Sequence, residues 1–139
     1  MTVAKGEPVW GMPVRRGTTL YLCLEDSRLR IQNRLFDVTE DAPANVHFRT
    51  ESGTLADGLT EQLEHFPREH PDTVPLIIDT PQLVRGGGYE STYANDYRDL
   101  SVLKRLADEH GIGILLIRHL RKEKADEHGS AASVGTSGR

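Results

Sequence analysis

The chain has 139 residues, a net charge of −4, 37% hydrophobic and 27% charged residues, and one cysteine. That is the length of one domain, with no surplus of positive charge spread over it for nucleic acid. It has no disulfide framework and no apolar run near the roughly 18 residues of a membrane span. No signal-peptide hydrophobic region opens the chain, so the cytoplasm is the expected compartment.

Residues 1–17 hold Gly6, Pro8, Gly11, Pro13 and Gly17 and read as irregular chain. A strand is expected at 18–25, where Thr19-Leu20-Tyr21-Leu22-Cys23-Leu24 stops at Glu25-Asp26. Asp26 or Ser27 can cap a helix at 28–37, whose apolar positions Leu29, Ile31, Leu35 and Phe36 are only loosely periodic. Asp41-Ala42-Pro43 is a turn, and 46–49 a short second strand. A helix over 58–66 puts Leu59, Leu63 and Phe66 on one face, and Pro67 should stop or kink it. A turn at His70-Pro71-Asp72 leads to a third strand, Pro75-Leu76-Ile77-Ile78-Asp79. Pro81 to Tyr93 is a loop with Gly86-Gly87-Gly88. The next helix, 95–109, can be capped by Asn95 or Asp96, with Tyr97, Leu100, Leu103, Leu106 and Ala107 as its buried stripe. Gly111 lies just past its end, and the last strand is 112–118. The expected core is 1–125. Residues 126–139, rich in Gly and Ser, read as a flexible C-terminal segment.

Strands alternating with helices predict an α/β fold: a parallel sheet with flanking helices in three layers. Apolar runs rich in Ile, Leu and Val fit strands buried on both faces. Open parallel sheets bind ligands at the carboxyl ends of their strands, so Glu25, Asp79 and His119 should converge on one edge. That is a constellation for metal-assisted phosphate chemistry. Asp79, closing an apolar strand, resembles the acid of a Walker B motif, which holds a Mg²⁺ water beside nucleotide phosphates; helix capping or a turn is its plain alternative. Glu25 can orient or deprotonate an attacking water, or be an ordinary surface acid. His119 can hydrogen-bond a γ-phosphate, or be a satisfied histidine at a strand end. Arg118, Arg121, Lys122 and Lys124 form a basic strip that either contacts phosphates or is solvated. Cys23, inside a buried strand, reads as a small core residue whose burial raises the thiol pKa. The triple glycine is not a phosphate loop. That loop needs Gly-x-x-x-x-Gly-Lys followed by Ser or Thr, and the pattern occurs nowhere in the chain.

The order of the pieces carries a resemblance: Leu20 to Ser27, Val46-His47-Phe48, and Ile77-Ile78-Asp79-Thr80-Pro81-Gln82-Leu83-Val84-Arg85 come first. Tyr93 to Tyr97, Leu103 to Asp108, and Arg118-His119-Leu120-Arg121-Lys122 follow. Over residues 1–125 the chain resembles the RepA-like AAA ATPases, a RecA-fold group related to hexameric replicative helicases and common in plasmids, phages and mobile elements. The resemblance implies a partial RecA-like P-loop NTPase fold, ATP and Mg²⁺ as cofactors, and a homo-oligomeric ring acting on single-stranded DNA, without membrane attachment. It implies Glu25 as catalytic glutamate, Asp79 as the Walker B acid, Thr80 beside it at the cofactor, and His119 as the γ-phosphate-sensing group. Arg121, Lys122 and Lys124 would lie near DNA or a subunit boundary. It also places the family's Walker A loop before residue 1 and its later strands beyond Arg139, so a fragment of an ATPase domain, inactive alone, is expected. Two alternatives stand beside it: a non-catalytic module that regulates or assembles with complete ATPase subunits, and an unrelated α/β nucleotide-binding domain.

Overall fold

The structure is a computed structural model. It describes residues 1–80 and 93–117, with the backbone only for 93–96. In chain order its elements are α1 (Thr2–Lys5), β1 (Thr18–Cys23), α2 (Arg28–Val38), β2 (Val46–Arg49), α3 (Leu59–Glu69), β3 (Thr73–Asp79), α4 (Tyr93–His110) and β4 (Gly113–Ile117). The four strands form one parallel sheet in the order β2-β1-β3-β4. The α/β architecture, with helices on both sides of a parallel sheet, is the one expected of a RecA-like fold.

Register settles which side chains share a face. Leu20 pairs with Leu76 and with His47, and Leu76 with Ile114. This face carries Leu20, Leu22, Leu76 and Ile78, which pack with Leu59, Leu63 and Phe66 of α3 and Leu103 and Leu106 of α4. Tyr21, Phe48, Ile77 and Leu115 alternate to the opposite face. There the Tyr21 and Phe48 rings lie 5.9 Å apart, and Ile31 and Leu35 of α2 line a groove with Phe48. So α2 covers the β1–β2 side of this face. Toward β4 the same face is more open, with Leu115 56% exposed.

Helix boundaries follow local chemistry. Ser27 is the N-cap of α2, its side chain accepting from the Arg30 N–H at 3.3 Å, while Asp26 pairs with Arg30 and Arg34. Gly58, with φ 77°, caps α3, and Gly111, with φ 62°, makes the turn into β4.

Several expectations change. Residues 2–5, read as irregular, form a short helix whose Ala4 is fully buried. Its carbonyl is tied down by the Asn45 side-chain amide at 3.0 Å and by Arg16, contacts invisible to local pattern. Pro67 does not stop α3, which runs on to Glu69. So near the end only one intrahelical bond is lost, the ring and Phe66 are buried, and His70 N–H closes the turn on the Phe66 carbonyl at 2.9 Å. Strand β3 starts two residues early, at Thr73, with Pro75 inside it. It is accommodated by a register shift: Thr18 faces Thr73 but Leu20 faces Leu76, one extra residue on the β3 side. Helix α4 starts at Tyr93, so Asn95 and Asp96 fall within its first turn rather than before it. Its buried stripe is narrower than expected: Leu103 and Leu106 are buried, but Tyr97 is 68% exposed and Leu100 exposed as well. An 18-residue helix spans ~27 Å, whereas the five residues of β4 span ~17 Å, so the first turns overhang the carboxyl edge.

Among the described residues no helix is long and apolar enough to cross a membrane. The expected glycine-rich loop at 81–92 and the segment from Arg118 onward, including 126–139, lie outside the described residues.

Candidate functional site

The strand order creates one special crevice. From β1 the chain crosses to β2 through α2, on one face of the sheet. From β2 it returns past β1 to β3 through α3, on the other face. Beyond the carboxyl ends of β1 and β3 the connections therefore diverge to opposite sides. Such a switch point is where open α/β sheets bind ligands.

The residues at this crevice are held by the ladder itself. Cys23 pairs with Asp79, and Asp79 with Ile117, so β1, β3 and β4 finish level. The Leu24 N–H donates to the Asp79 carbonyl at 2.8 Å, extending the ladder one step. Directly after it, Thr80 is buried and its hydroxyl donates to Glu25 Oε1 at 2.6 Å. The Asp79–Thr80 peptide is cis. Tyr21 OH donates to Asp79 Oδ2 at 3.0 Å. Asp79 is half-buried and Glu25 exposed, so one acid is anchored in the sheet and the other reaches toward solvent.

Protonation follows from these contacts. Burial, reinforced by the Asp79 carboxylate it bonds, pushes the Tyr21 phenol up to about 12, so Tyr21 stays a donor at neutral pH. Burial, with Asp26 and Asp79 nearby, pushes the Cys23 thiol up to about 12. This buried cysteine is thus a neutral packing residue, as its place in an apolar run implied.

Of the expected trio Glu25, Asp79 and His119, the described residues hold Glu25 and Asp79, at one edge of the sheet and linked through Thr80, the residue after Asp79. His119, Arg121, Lys122 and Lys124 lie outside the described residues, although β4 ends at Ile117, beside Asp79. One participant, Tyr21, and one contact, between Thr80 and Glu25, had no separate signal in the sequence. Tyr21 looked like one more member of an apolar run, and only the β1–β3 register reveals that it reaches Asp79. The Thr80–Glu25 bond joins residues 55 positions apart and likewise depends on register.

A family model described as AAA domain matches residues 1–125. The chain belongs to the AAA domain family. No curated protein matches it. As an AAA domain it is of the ATPase type, a family whose members are P-loop nucleotide-binding domains, and the parallel sheet agrees with that membership. The donors gathered at the crevice of this AAA domain are all oxygens: two carboxylates and two hydroxyls. That is the hard set Mg²⁺ accepts. Among the described residues no group of three or more His, Cys, Asp or Glu side chains could hold a metal. Mg²⁺ does not require one, since it is usually held by one or two carboxylates, waters and substrate phosphates.

Proposed function

We propose that this AAA domain is part of the ATP-hydrolysing core of a RepA-like, RecA-fold motor acting in DNA replication or mobile-element maintenance. The observation that carries the reading is the meeting of Glu25, Asp79 and Thr80 at the switch point of a chain matched as an AAA domain over 1–125. In this reading Asp79 would hold Mg²⁺ through a water, and the ion would supply charge neutralisation at the nucleotide phosphates. Tyr21 fixes the Asp79 carboxylate by its hydrogen bond. Glu25, at the exposed end of β1, orients or deprotonates the attacking water. Thr80 holds Glu25 toward the cofactor, and His119 contacts the γ-phosphate. A homo-oligomeric ring and single-stranded DNA are the proposed partners, with Arg121, Lys122 and Lys124 at the DNA or subunit boundary.

The 139 residues contain no Gly-x-x-x-x-Gly-Lys-Ser/Thr pattern, so this polypeptide alone supplies no amide cradle for the phosphates. It should therefore bind ATP weakly and turn it over negligibly, since losing one key phosphate-stabilising group already costs several powers of ten in rate. Steady-state assay of the pure chain tests this. Turnover near ~1 s⁻¹, an ordinary enzymatic rate, and abolished by Asp79→Asn, would keep the site but overturn the proposed inactivity.

A second reading is favoured by the same missing pattern together with the open face around Leu115: a non-catalytic module that docks on complete ATPase subunits. It predicts that the chain lowers the turnover of such subunits when mixed with them, and that Leu115→Glu abolishes the effect.

A further inference from the structure

A second site lies at the same carboxyl edge and on the same face of the sheet as the Asp79 side chain, two strands away from it. Between the start of α2 and the end of β2 runs an open groove of about 480 Å³, within the size range of small-ligand sites. Ile31 and Leu35 form an apolar wall with the Phe48 ring, and Arg28, Gln32, Arg49, Thr50 and Glu51 make the rim.

The rim holds two arginines whose side chains are not engaged by any carboxylate among the described residues. On α2, Arg30 and Arg34 are both engaged by Asp26. Elsewhere Arg68 pairs with Glu64, Arg105 with Glu109, and Arg16 bonds the Ala4 carbonyl. The side chains of Arg28 and Arg49, like those of Arg15 and Arg98, are in no ion pair or hydrogen bond among the described residues, and of these four Arg28 and Arg49 border the groove. Two uncommitted guanidiniums therefore border one groove, opposed at its rim by the single carboxylate of Glu51. Glu61 and Glu69 share a second depression with Arg49, but neither forms an ion pair with it. Arg28 is also the first residue of the 11-residue α2, whose amino end carries partial positive charge.

Each element matches one part of a nucleotide. Guanidiniums bind phosphate oxygens in pairs and stack on planar rings. The half-buried Phe48 ring and the apolar wall beside it offer a face for a base. The Gln32 amide and Thr50 hydroxyl supply donors and acceptors for a base edge. We infer that the α2–β2 groove binds a nucleotide unit, its phosphate between Arg28 and Arg49 and its base against Phe48, independently of the Asp79 crevice. That unit can come from a free mononucleotide or from a single-stranded nucleic acid.

The test uses the full chain and two probes. One is a fluorescein-labelled dT12 oligonucleotide, followed by anisotropy over a salt series. The other is AMP, followed by calorimetry. Binding of dT12 that weakens with salt, with little affinity for AMP, identifies a strand site; comparable binding of AMP identifies a free-nucleotide site. In either case Arg28→Ala and Arg49→Ala should each lower affinity about five- to tenfold, and with dT12 each should cut the salt slope by about 0.7. Phe48→Leu should weaken binding as well, and Glu51→Gln should strengthen it. Arg68→Ala, a surface change outside the groove, should change nothing. The inference fails if neither probe binds at millimolar concentration. It fails equally if Arg28→Ala, Arg49→Ala and Phe48→Leu bind like the parent chain, or if Arg68→Ala matters as much as they do.

Discussion

Replacing Leu76 by alanine probes the one face of the sheet that is fully packed. Leu76 is 0% exposed, in the middle of β3, between Leu20 and Ile114 in register and under α3 and α4. Truncation removes three carbons, about 2.4 kcal/mol of transfer free energy at roughly 0.8 kcal/mol per methylene. The cavity left among leucines and isoleucines raises the loss to about 3–5 kcal/mol. Leu115, on the neighbouring strand but the opposite face, is 56% exposed. Its truncation leaves no enclosed cavity, and less than half of its surface is buried, so the loss should be about 1 kcal/mol. Urea unfolding followed by circular dichroism reads the difference. At a slope of about 2 kcal/mol per molar, the midpoint should fall by about 2 M for Leu76→Ala and by about 0.5 M for Leu115→Ala. If the first variant does not fold, Ile78→Val, on the same buried face, replaces it: the loss of one methylene there should cost about 1 kcal/mol, as much as the loss of three carbons in Leu115→Ala. Equal losses at Leu76 and Leu115 would refute the assignment of a packed and an open face.

Three further outcomes follow from other contacts. At Gly17 an added Cβ would sit 2.2 Å from the Asp72 carbonyl and 2.4 Å from a Val74 methyl. Gly17→Ala should therefore cost about 1–3 kcal/mol of overpacking, and an unchanged Tm would contradict that close approach. Tyr21→Phe removes the donor to Asp79 Oδ2 and should cost about 0.5–1.5 kcal/mol in denaturant unfolding; a neutral result would mean the bond contributes nothing in solution. Alkaline pH should destabilise the chain. The Cys23 thiol rises from an ordinary 9.0 to about 12 on folding, so the folded state keeps a proton that the unfolded chain releases. That stability is complete below pH 9 and is lost as pH rises toward 12, at up to about 1.4 kcal/mol per unit. Cys23→Ala should flatten the slope just above pH 9, with Tyr21, raised in the same direction, still declining above 10. An identical pH profile for the variant would rule out Cys23 as the source.

The sheet was readable because its signals are local. Apolar runs ending in Glu25 and Asp79 mark strands and their carboxyl ends, and Leu59, Leu63 and Phe66 at helical spacing mark the face of α3. The rest depends on chain segments far apart in sequence. Ala4 is ordered by Asn45 and Arg16. Pro67 and Pro75 act as breakers in isolation, but burial and a shifted register override them. Tyr97 and Leu100 fit the helical period yet overhang the sheet. The candidate site was legible by residue type, Glu25 and Asp79 being acids at strand ends and Thr80 following Asp79, whereas the Tyr21–Asp79 and Thr80–Glu25 bonds appear only once β1 and β3 lie side by side. Phe48 and Arg49 had no signal as part of a groove, because α2 supplies its other wall.

We propose that nucleotide binds at the carboxyl-end crevice of β1 and β3. The most direct measurement is a titration of the isotope-labelled chain with millimolar ATP, with and without Mg²⁺, followed by amide chemical shifts. The largest Mg²⁺-dependent shifts should fall on Leu24, Glu25, Asp79 and Thr80, and Asp79→Asn should suppress them. Shifts confined to residues away from this crevice, or shifts there unaffected by both Mg²⁺ and Asp79→Asn, would contradict it.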